Sequence, residues 1–445
     1  MTAQPQNNTP VRIGLLGLGT VGGGVVNVLN RNGAEIARRA GRPIEVIHAS
    51  ARNLDAPRIC PLEGMMVTTN PMEVVENPDV DVVVELIGGI KPAGDLIKRA
   101  LELGKPVVTA NKALIAHDGM ALFETAQKYN ATVAFEAAVA GGIPIIKAIR
   151  EGLAGNRIEW LAGIINGTGN YILTAMRDDG RAFAEVLAEA QYLGYAEADP
   201  TFDVEGVDAA HKLTILAATA FGMPLKFDDV YTEGIGDIEI ADVNYAREFG
   251  YQIKHLGIAR RRDDGIELRV HPTLIPEKRL LANVDGVQNA ILVWGDAVGP
   301  TMYYGAGAGA EPTASAVIAD LVDVVRTMTA DPMHRVPHLA VVPDEVADLP
   351  VVPIESIDTA YYLRIAVLDR PGVLARIAKI LADNDISIEA MMQKEMTEDE
   401  RTLPIVMLTH KVRERAMNRA IANIEALDTV RGSVVRMRVE TLKGA

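Results

Sequence analysis

The sequence predicts an α/β protein of several domains, and three observations lead to that prediction. At 445 residues the chain is too long for one ordinary domain, and its 49% hydrophobic residues are ample for large cores. The 39 glycines and the aromatic share of only 4% suit α/β sheets with small-residue turns. From the first strand onward, short apolar runs alternate with helical patterns, which is typical of βαβ units.

Net charge and cysteine usage exclude several classes of function. The net charge of −15 argues against nucleic acid or an anionic membrane as a partner. The single cysteine, Cys60, excludes an internal disulfide framework and suits a reducing cytoplasm, so we expect a cytoplasmic protein. Residues 1–10 are polar and lack the parts of a signal peptide, and no apolar run is long enough to span a bilayer.

The chain opens on a pattern that predicts a dinucleotide site. Residues 11–17 read as a buried parallel strand that leads into a GxGxxG turn and then a helix. In such a turn the glycines make the bend, let a pyrophosphate approach the backbone, and let the helix pack on the strand. The strand and helix favour this reading over a methyltransferase turn or a plain structural turn. We predict a Rossmann domain over residues 1–150, in which the cofactor contacts are Gly17, Gly19, Thr20, Val21 and Gly22.

The end of the next predicted strand, residues 44–51, bears on the choice of cofactor. NAD-binding domains usually place a carboxylate there for the ribose hydroxyls, but here the following residue is Arg52. Arg52 can clamp a 2′-phosphate, or it can be a solvated loop arginine. The sequence therefore favours NADP, with NAD as the alternative.

A lysine follows another strand of the same predicted sheet. Residues 106–110 form this strand and run into Asn111 and Lys112. Because ligands of doubly wound sheets lie at the carboxyl ends of the strands, Lys112 is predicted near the nicotinamide end of the cofactor. The alternative is an ordinary solvated lysine.

Residues 151–310 are predicted to form a second α/β unit, and its chemistry is concentrated in residues 194–212. This stretch packs five carboxylates into a short run that ends on a lysine. A helix is expected to start near Asp203, so that Asp208 and Lys212 share one face where the helix becomes apolar. A lysine there can have a tuned proton affinity and serve as acid or base, whereas the alternative is an ordinary ion pair at a solvated helix start.

The rest of the chain divides into a glycine-rich run, a linker and a small domain. The bare backbone of residues 304–312 suits close approach to a ligand or packing onto the first domain, and Gly305 is predicted to contact the cofactor. Residues 311–340 are expected to return to the first domain, and the Pro- and acid-rich residues 341–358 to form a flexible linker. Residues 359–445 show a βαββαβ pattern, which predicts a ferredoxin-like domain.

Seven motifs in order give the chain a resemblance to a known family. They are GLLGLGTVGGGV, TANKALIA, FEAAVAGGIPII, IINGTGNYILT, AEADPTFDVEGVDAAHKLTIL, GAGAGAEPTASAV and LDRPGVLARIAKILADNDISIE. The chain resembles homoserine dehydrogenase of the long form, in which the C-terminal domain is an ACT regulatory domain. The resemblance implies NAD(P)-dependent interconversion of L-aspartate 4-semialdehyde and L-homoserine in the synthesis of threonine, methionine and isoleucine.

The resemblance also implies roles for individual residues. Lys212 is the acid or base, Lys112 lies beside nicotinamide and substrate, and Asp208 completes the catalytic set. Glu197 and Asp208 hold the amino-acid substrate, with Asp203 nearby. A monovalent cation, sodium in known cases, binds oxygens of Glu136, Val139, Gly141 and Ile143. A glycine turn that exposes carbonyls suits a hard cation, and an ordinary tight turn is the alternative.

Regulation and assembly are likewise implied by the resemblance. It implies threonine as the effector, a homodimer or homotetramer, and a catalytic and dimerisation role for residues 151–310. Gly372 lies in a turn that resembles the ACT ligand loop, where a helix N-terminus can receive a carboxylate. Asn384 and Asp385 lie where ACT units commonly pair. The alternative is a domain that only holds the dimer together.

Two hypotheses from other classes remain. One is a non-catalytic cofactor sensor, against which the paired lysines and the acidic cluster argue. The other is a dehydrogenase of another small amino acid, against which the ADPTFDVEG and DAAHK residues argue.

Overall fold

A computed structural model describes residues 9–331, 334–394 and 402–442. Within these ranges the chain forms a six-stranded sheet and an eleven-stranded sheet. The polar start of the chain, residues 1–8, and the end of the last predicted domain, residues 443–445, lie outside the described residues. No helix in the described ranges is long and apolar enough to cross a membrane.

The N-terminal unit is a doubly wound parallel sheet. Its elements are β1 (Val11–Leu16), α1 (Thr20–Ala40), β2 (Ile44–Ser50), β3 (Met66–Thr68), α2 (Pro71–Glu76), β4 (Val82–Glu85), α3 (Ala93–Glu102), β5 (Val107–Thr109), α4 (Lys112–Lys128) and β6 (Val133–Ala134). The strand order is β3-β2-β1-β4-β5-β6, and every pair is parallel. The order reverses between β1 and β4, so the ligand crevice is expected at their carboxyl ends.

The central unit carries the acidic stretch. It begins with a 3₁₀ turn (Glu136–Ala138), α5 (Ile145–Lys147) and a π turn (Ala148–Gly152). Its further elements are β7 (Ile158–Ile164), α6 (Gly167–Asp179), α7 (Phe183–Tyr192), α8 (Thr201–Val204), α9 (Val207–Phe221), β8 (Tyr231–Thr232), α10 (Ile240–Glu248), β9 (Tyr251–Arg262), β10 (Gly265–Pro276), β11 (Gln288–Gly295) and β12 (Gly299–Ala306). Between β10 and β11, Leu280–Asn283 forms a 3₁₀ helix. The glycine-rich run begins inside β12, where it pairs with β11.

The chain then returns to the first sheet through α11 (Ala310–Thr327). This helix packs on α1, and buried residues of both helices share one hydrophobic cluster with the strands of the first sheet. The approach is close at Gly24, where an added Cβ would lie 2.5 Å from the Ala310 carbonyl oxygen. Glycine in α1 therefore lets the two helices meet.

The C-terminal unit extends the central sheet. Its elements are β13 (Asp358–Val367), α12 (Val373–Asp383), β14 (Ile388–Gln393), β15 (Leu403–Thr409), β16 (Val412–Arg413), α13 (Glu414–Glu425) and β17 (Val435–Val439). Strand β17 pairs with β13 on one side and with β10 on the other, so the order runs β12-β11-β7-β9-β10-β17-β13-β15-β14. The two units therefore share one continuous sheet.

The segment predicted to be a flexible linker, residues 341–358, makes backbone contacts with the central sheet. The backbone of the segment is hydrogen-bonded to β10: Ile266 N–H donates to the Pro350 carbonyl (2.8 Å), and Val352 N–H donates to the Ile266 carbonyl (3.0 Å). Prolines and valines hold these residues extended, so they pair with the strand beside them.

Candidate active site

The glycine turn between β1 and α1 has the geometry of a phosphate cradle. Gly17 has a φ of 104°, and a Cβ on Gly22 would lie 2.0 Å from the Gly17 carbonyl oxygen. At Gly19 an added Cβ would meet nothing within 4 Å, so the approach to the turn is open. Helix α1 begins at Thr20 with no acidic residue in its first turn, so its free N–H groups suit an anion. The turn therefore fits a dinucleotide.

Two arginines follow β2, of which sequence reasoning singled out only one. Arg52 is exposed in the loop after the strand. Arg58, in the same loop, donates from Nη1 to the carbonyl of Leu18 (2.8 Å), inside the glycine turn, and also bonds the carbonyl of Asn53. The signal that could have found Arg58 is a second arginine in the loop that closes over the turn.

The acidic stretch places a buried ion pair at the start of α9. Gly206, with a φ of 82°, separates α8 from α9, so the single helix expected from Asp203 is broken there. Asp208 and Lys212 are one turn apart on α9 and only 4% and 9% exposed. Lys212 Nζ donates to Asp208 Oδ2 and to the Ile165 carbonyl at the end of β7, both at 2.7 Å.

A second lysine reaches the same carboxylate from the other sheet. Lys112 is the first residue of α4, directly after β5, and Asn111 caps that helix by accepting from Leu114 N–H. Lys112 Nζ lies 2.9 Å from Asp208 Oδ1, and its side chain is 40% exposed. One carboxylate therefore bridges two ammonium groups, at the point where the cofactor-binding sheet meets the central sheet.

Asn166 is a site residue that the sequence did not single out. Its Oδ1 caps α6 by accepting from Gly169 N–H (2.7 Å), which fixes the orientation of the amide. Its Nδ2 then donates to Asp203 Oδ1 (2.6 Å) and Asp208 Oδ2 (2.9 Å). The available signal was the Asn before Gly-Thr-Gly, which is a helix-cap pattern.

The charges of the site act on each other in opposite directions. Burial alone would raise the pKa of Asp208, but the charges of Lys212 and Lys112 overcome it and hold that pKa below its ordinary value. Burial lowers the pKa of Lys212, with a further lowering by the charge of Lys112 and an opposing effect of Asp208. Asp208 raises the pKa of Lys112. Lys212 is therefore the easier of the two to deprotonate, and Lys112 stays charged.

The other predicted substrate carboxylates lie at different depths. Asp203 is half-buried and held by Asn166, and burial raises its pKa. Glu197 is exposed. Its charge, with that of Asp203, contributes to raising the pKa of Lys112, so it faces the same side of the site.

The predicted cation turn packs against the glycine-rich run. Gly141 has a φ of 42°, a Cβ on it would lie 2.6 Å from the Gly307 carbonyl oxygen, and a Cβ on Gly305 would lie 3.2 Å from the Ile143 side chain. The Glu136 carboxylate accepts the N–H groups of Ile146 and Lys147, each at 2.8 Å. Burial, and then Asp320, raise the pKa of Glu136 to about 7. Within the described ranges, no three His, Cys, Asp or Glu side chains form a cluster that could hold a metal.

Comparison with known proteins assigns the chain to a protein family. Models of the homoserine dehydrogenase NAD-binding domain, homoserine dehydrogenase and the ACT domain match residues 17–136, 144–322 and 361–429. Homoserine dehydrogenase of Pseudomonas aeruginosa is 63% identical over 433 residues, 97% of this chain and 99% of the relative. The crystal structure of a homoserine dehydrogenase from Thiobacillus denitrificans is 62% identical with a TM-score of 0.93, and covers 98% of this chain and 100% of its own. A hyperthermophilic archaeal homoserine dehydrogenase in complex with NADPH is 26% identical with a TM-score of 0.59, and covers 73% of this chain and 99% of its own.

These findings confirm the predicted fold class, with a Rossmann-like NAD-binding domain, an α/β catalytic domain and an ACT domain. They exclude the cofactor sensor and the dehydrogenase of another amino acid. With relatives of this identity over nearly its whole length, the chain belongs to the homoserine dehydrogenase family, the oxidoreductases that interconvert L-aspartate 4-semialdehyde and L-homoserine with a nicotinamide cofactor.

Proposed function

We propose that Lys212 is the acid and base of the reaction, and that Lys112 and Asp208 set its proton affinity. The observation that carries this proposal is the bridge of Asp208 between the two lysines. Lys212 uses two of its three N–H groups on Asp208 and Ile165, so the third is available to a substrate oxygen. Burial lowers its pKa, and a lysine that gives up its proton more readily is suited to acid–base catalysis.

The two lysines have different roles at the reacting oxygen of the substrate. The bound nicotinamide supplies the hydride in one direction and accepts it in the other. In reduction, Lys212 gives a proton to the oxygen of the aldehyde as negative charge develops there, and in oxidation it removes the hydroxyl proton. Lys112, which stays charged, stabilises the developing negative charge.

The carboxylates bind the amino-acid end of the substrate. The substrate ammonium needs anionic acceptors, and Asp203, Asp208 and Glu197 supply them. Asn166 holds Asp203 and Asp208 together through one amide nitrogen, which supports a shared binding role. Glu197, on the exposed loop before α8, completes the set from the solvent side.

NADP is the proposed cofactor, with NAD as a weaker substitute. Arg52 follows β2 where NAD-specific domains place a carboxylate, and Arg58 adds a second guanidinium over the glycine turn. The archaeal relative in complex with NADPH supports this preference. Gly17, Gly19, Thr20, Val21 and Gly22 cradle the pyrophosphate, and Gly305 contacts the cofactor from the second sheet.

A sodium ion bound by the 136–143 turn belongs to the same proposal. Its ligands are the carbonyls of Glu136, Val139, Gly141 and Ile143, since the Glu136 carboxylate already accepts two backbone N–H groups. Two buried carboxylates, Glu136 and Asp320, face this region, which suits a cation. Dependence of activity on sodium against potassium or choline chloride at constant ionic strength tests it.

Threonine is the proposed effector of the C-terminal domain, in a homodimer or homotetramer. Helix α12 begins after Gly372, whose φ of 87° leaves the helix N-terminus open to a carboxylate. Asn384 ends that helix, and Asp385 follows with a φ of 59°. Initial rates with added threonine and light scattering of the purified protein test both statements, and insensitivity to threonine would remove the effector assignment.

The site assignment is tested by kinetics of two variants. Wild-type protein with homoserine and NADP is expected to produce reduced nicotinamide, which is followed by its absorbance. Asp203→Asn is expected to raise KM for homoserine about tenfold or more and to leave KM for NADP unchanged, because a charged acceptor is lost. Glu248→Gln, a surface carboxylate paired with Lys394, is the control. Equal effects of the two substitutions would contradict the assignment.

A further inference from the structure

A fully buried arginine of the C-terminal unit contacts the segment of the central unit that packs against the acidic loop. Arg438, on β17, is 0% exposed. It donates from Nε to Glu414 Oε2 (2.9 Å) within its own unit, and from Nη1 to Glu233 Oε2 (2.7 Å) in the central unit. Its Nη2 lies 3.3 Å from the Tyr231 hydroxyl, which itself donates to Glu233 (2.9 Å). Arg438 therefore ties residues 231–233 to the C-terminal unit.

The backbone that follows Glu233 supports the acidic loop. Ile235 N–H donates to the Val204 carbonyl (3.0 Å). A Cβ on Gly234 would lie 2.8 Å from a Glu205 carboxylate oxygen and 2.9 Å from the Val204 carbonyl oxygen. The two segments are thus in direct contact, and glycine at position 234 makes that contact possible. The supported loop is the connection between Asp203 and Asp208.

His255 joins the same two segments from the other side. Its Nε2 lies 3.0 Å from the Glu233 carbonyl oxygen. Its ring packs against Gly206, where an added Cβ would lie 2.9 Å from Cε1. Burial lowers the pKa of His255 to about 4, so the ring is neutral at working pH and donates to that carbonyl. The side chain of Glu233 is therefore bonded to the C-terminal unit, and its backbone carbonyl is bonded to His255, which packs against the acidic loop.

We propose that Arg438 and Glu233 are positioning residues for the substrate carboxylates, so that the C-terminal unit fixes the geometry of Asp203 and Asp208. This inference rests on the proposed substrate-binding role of those two carboxylates. Positioning residues of this kind act on the binding of the amino acid and leave the cofactor alone, because the glycine turn and its arginines belong to the other sheet.

The test compares two glutamates of the central unit, each of which contacts an arginine of the C-terminal unit. Glu233→Gln removes the charge that faces Arg438. Glu239→Gln removes the charge that faces Arg364, 3.1 Å away, at a contact on α10 that does not touch residues 204–206. Glu233→Gln is expected to raise KM for homoserine about tenfold, with KM for NADP within about twofold, since small misplacement of binding groups has effects of this size. Glu239→Gln is expected to change neither.

Two further variants keep the outcomes distinct. Arg438→Lys is expected to raise KM for homoserine by a smaller factor in the Glu233→Gln background than in the wild-type protein, because both substitutions act on one contact. An unchanged KM for homoserine in folded Glu233→Gln protein overturns the inference, as does an equal rise in Glu239→Gln. Asp208→Asn serves as the reference: if it leaves KM for homoserine unchanged, the proposed function of the carboxylates fails, whereas an effect of Asp208→Asn without one of Glu233→Gln overturns only the positioning role.

Discussion

Replacing Lys212 by methionine tests the acid–base assignment directly. Methionine keeps the length and apolar stem of the side chain and removes the ammonium group. The Asp208 carboxylate then keeps Lys112 and Asn166 as partners, while the Ile165 carbonyl loses its donor. We expect the free energy of unfolding to fall by about 1–3 kcal/mol, the usual cost of one unmet buried hydrogen bond, so the protein remains folded.

The expected loss of turnover is much larger than the loss of stability. A positioned acid or base contributes about 10²–10⁴-fold, which corresponds to about 3–5 kcal/mol in the barrier. Cofactor binding is expected to be unchanged, because the glycine turn does not contact Lys212. Titration with NADPH by fluorescence and measurement of kcat for homoserine oxidation separate the two effects. Lys254→Met, at another buried lysine with its own carboxylate partner, Asp285, is the matched control.

The acid–base assignment predicts the direction in which the pH profile shifts when a charged neighbour of Lys212 is removed. In the proposed mechanism, homoserine oxidation needs neutral Lys212, so the rate is expected to fall as pH falls through the pKa of this group. The charge of Lys112 lowers that pKa and the charge of Asp208 raises it. Lys112→Met should therefore move the inflection of log kcat to higher pH, and Asp208→Asn should move it to lower pH. Shifts in the same direction, or an unchanged inflection in Lys212→Met, would refute the reasoning.

Three more predictions follow from the cofactor turn and the shared sheet. Arg52→Ala should lower kcat/KM for NADP about tenfold or more and leave the value for NAD nearly unchanged, since in the proposed function it removes a partner of the 2′-phosphate; equal losses with both cofactors would contradict this. Gly22→Ala should abolish NADPH binding, measured by fluorescence, because its Cβ would lie 2.0 Å from the Gly17 carbonyl oxygen. Truncation after Asp348 should give aggregated protein by size-exclusion chromatography, since it removes β17 from the edge of β10; a soluble, active truncated enzyme would show that the central sheet stands alone.

The parts of the site that the sequence predicted depend on local patterns. The GxGxxG turn was recognised because its strand, glycines and helix are consecutive. The Asp208–Lys212 pair followed from helical spacing, and the structure confirms that the two side chains meet. Lys112 could be placed only near the cofactor, because its contact with Asp208 joins two different sheets. No local pattern reports such a contact.

The shared sheet escaped prediction for the same reason. The C-terminal pattern correctly indicated its own strands and helices, but each could equally form a separate domain on a flexible linker. The pairing of Thr273 with Arg438 and Leu274 with Val439 depends on the edge of β10 being open at those residues. Arg438 is moreover a charged residue in a strand, which sequence reasoning places on the surface, whereas Glu414 and Glu233 let it be buried.

The edge of β10 opposite β9 brings the C-terminal unit close to the acidic loop. Three segments follow one another along that edge of β10. Val351 bridges Ile266, β8 pairs with Arg269 and Val270, and β17 pairs with Thr273 and Leu274. Strand β8 leads directly into the backbone that contacts the acidic loop, so it lies between the connecting segment and the C-terminal unit. If Asp203 and Asp208 bind the substrate as proposed, a displacement of β17 along β10 acts on the strand that supports them. An effector that binds the C-terminal unit would need different affinities for two such arrangements, and this edge of β10 would carry its effect to the proposed site.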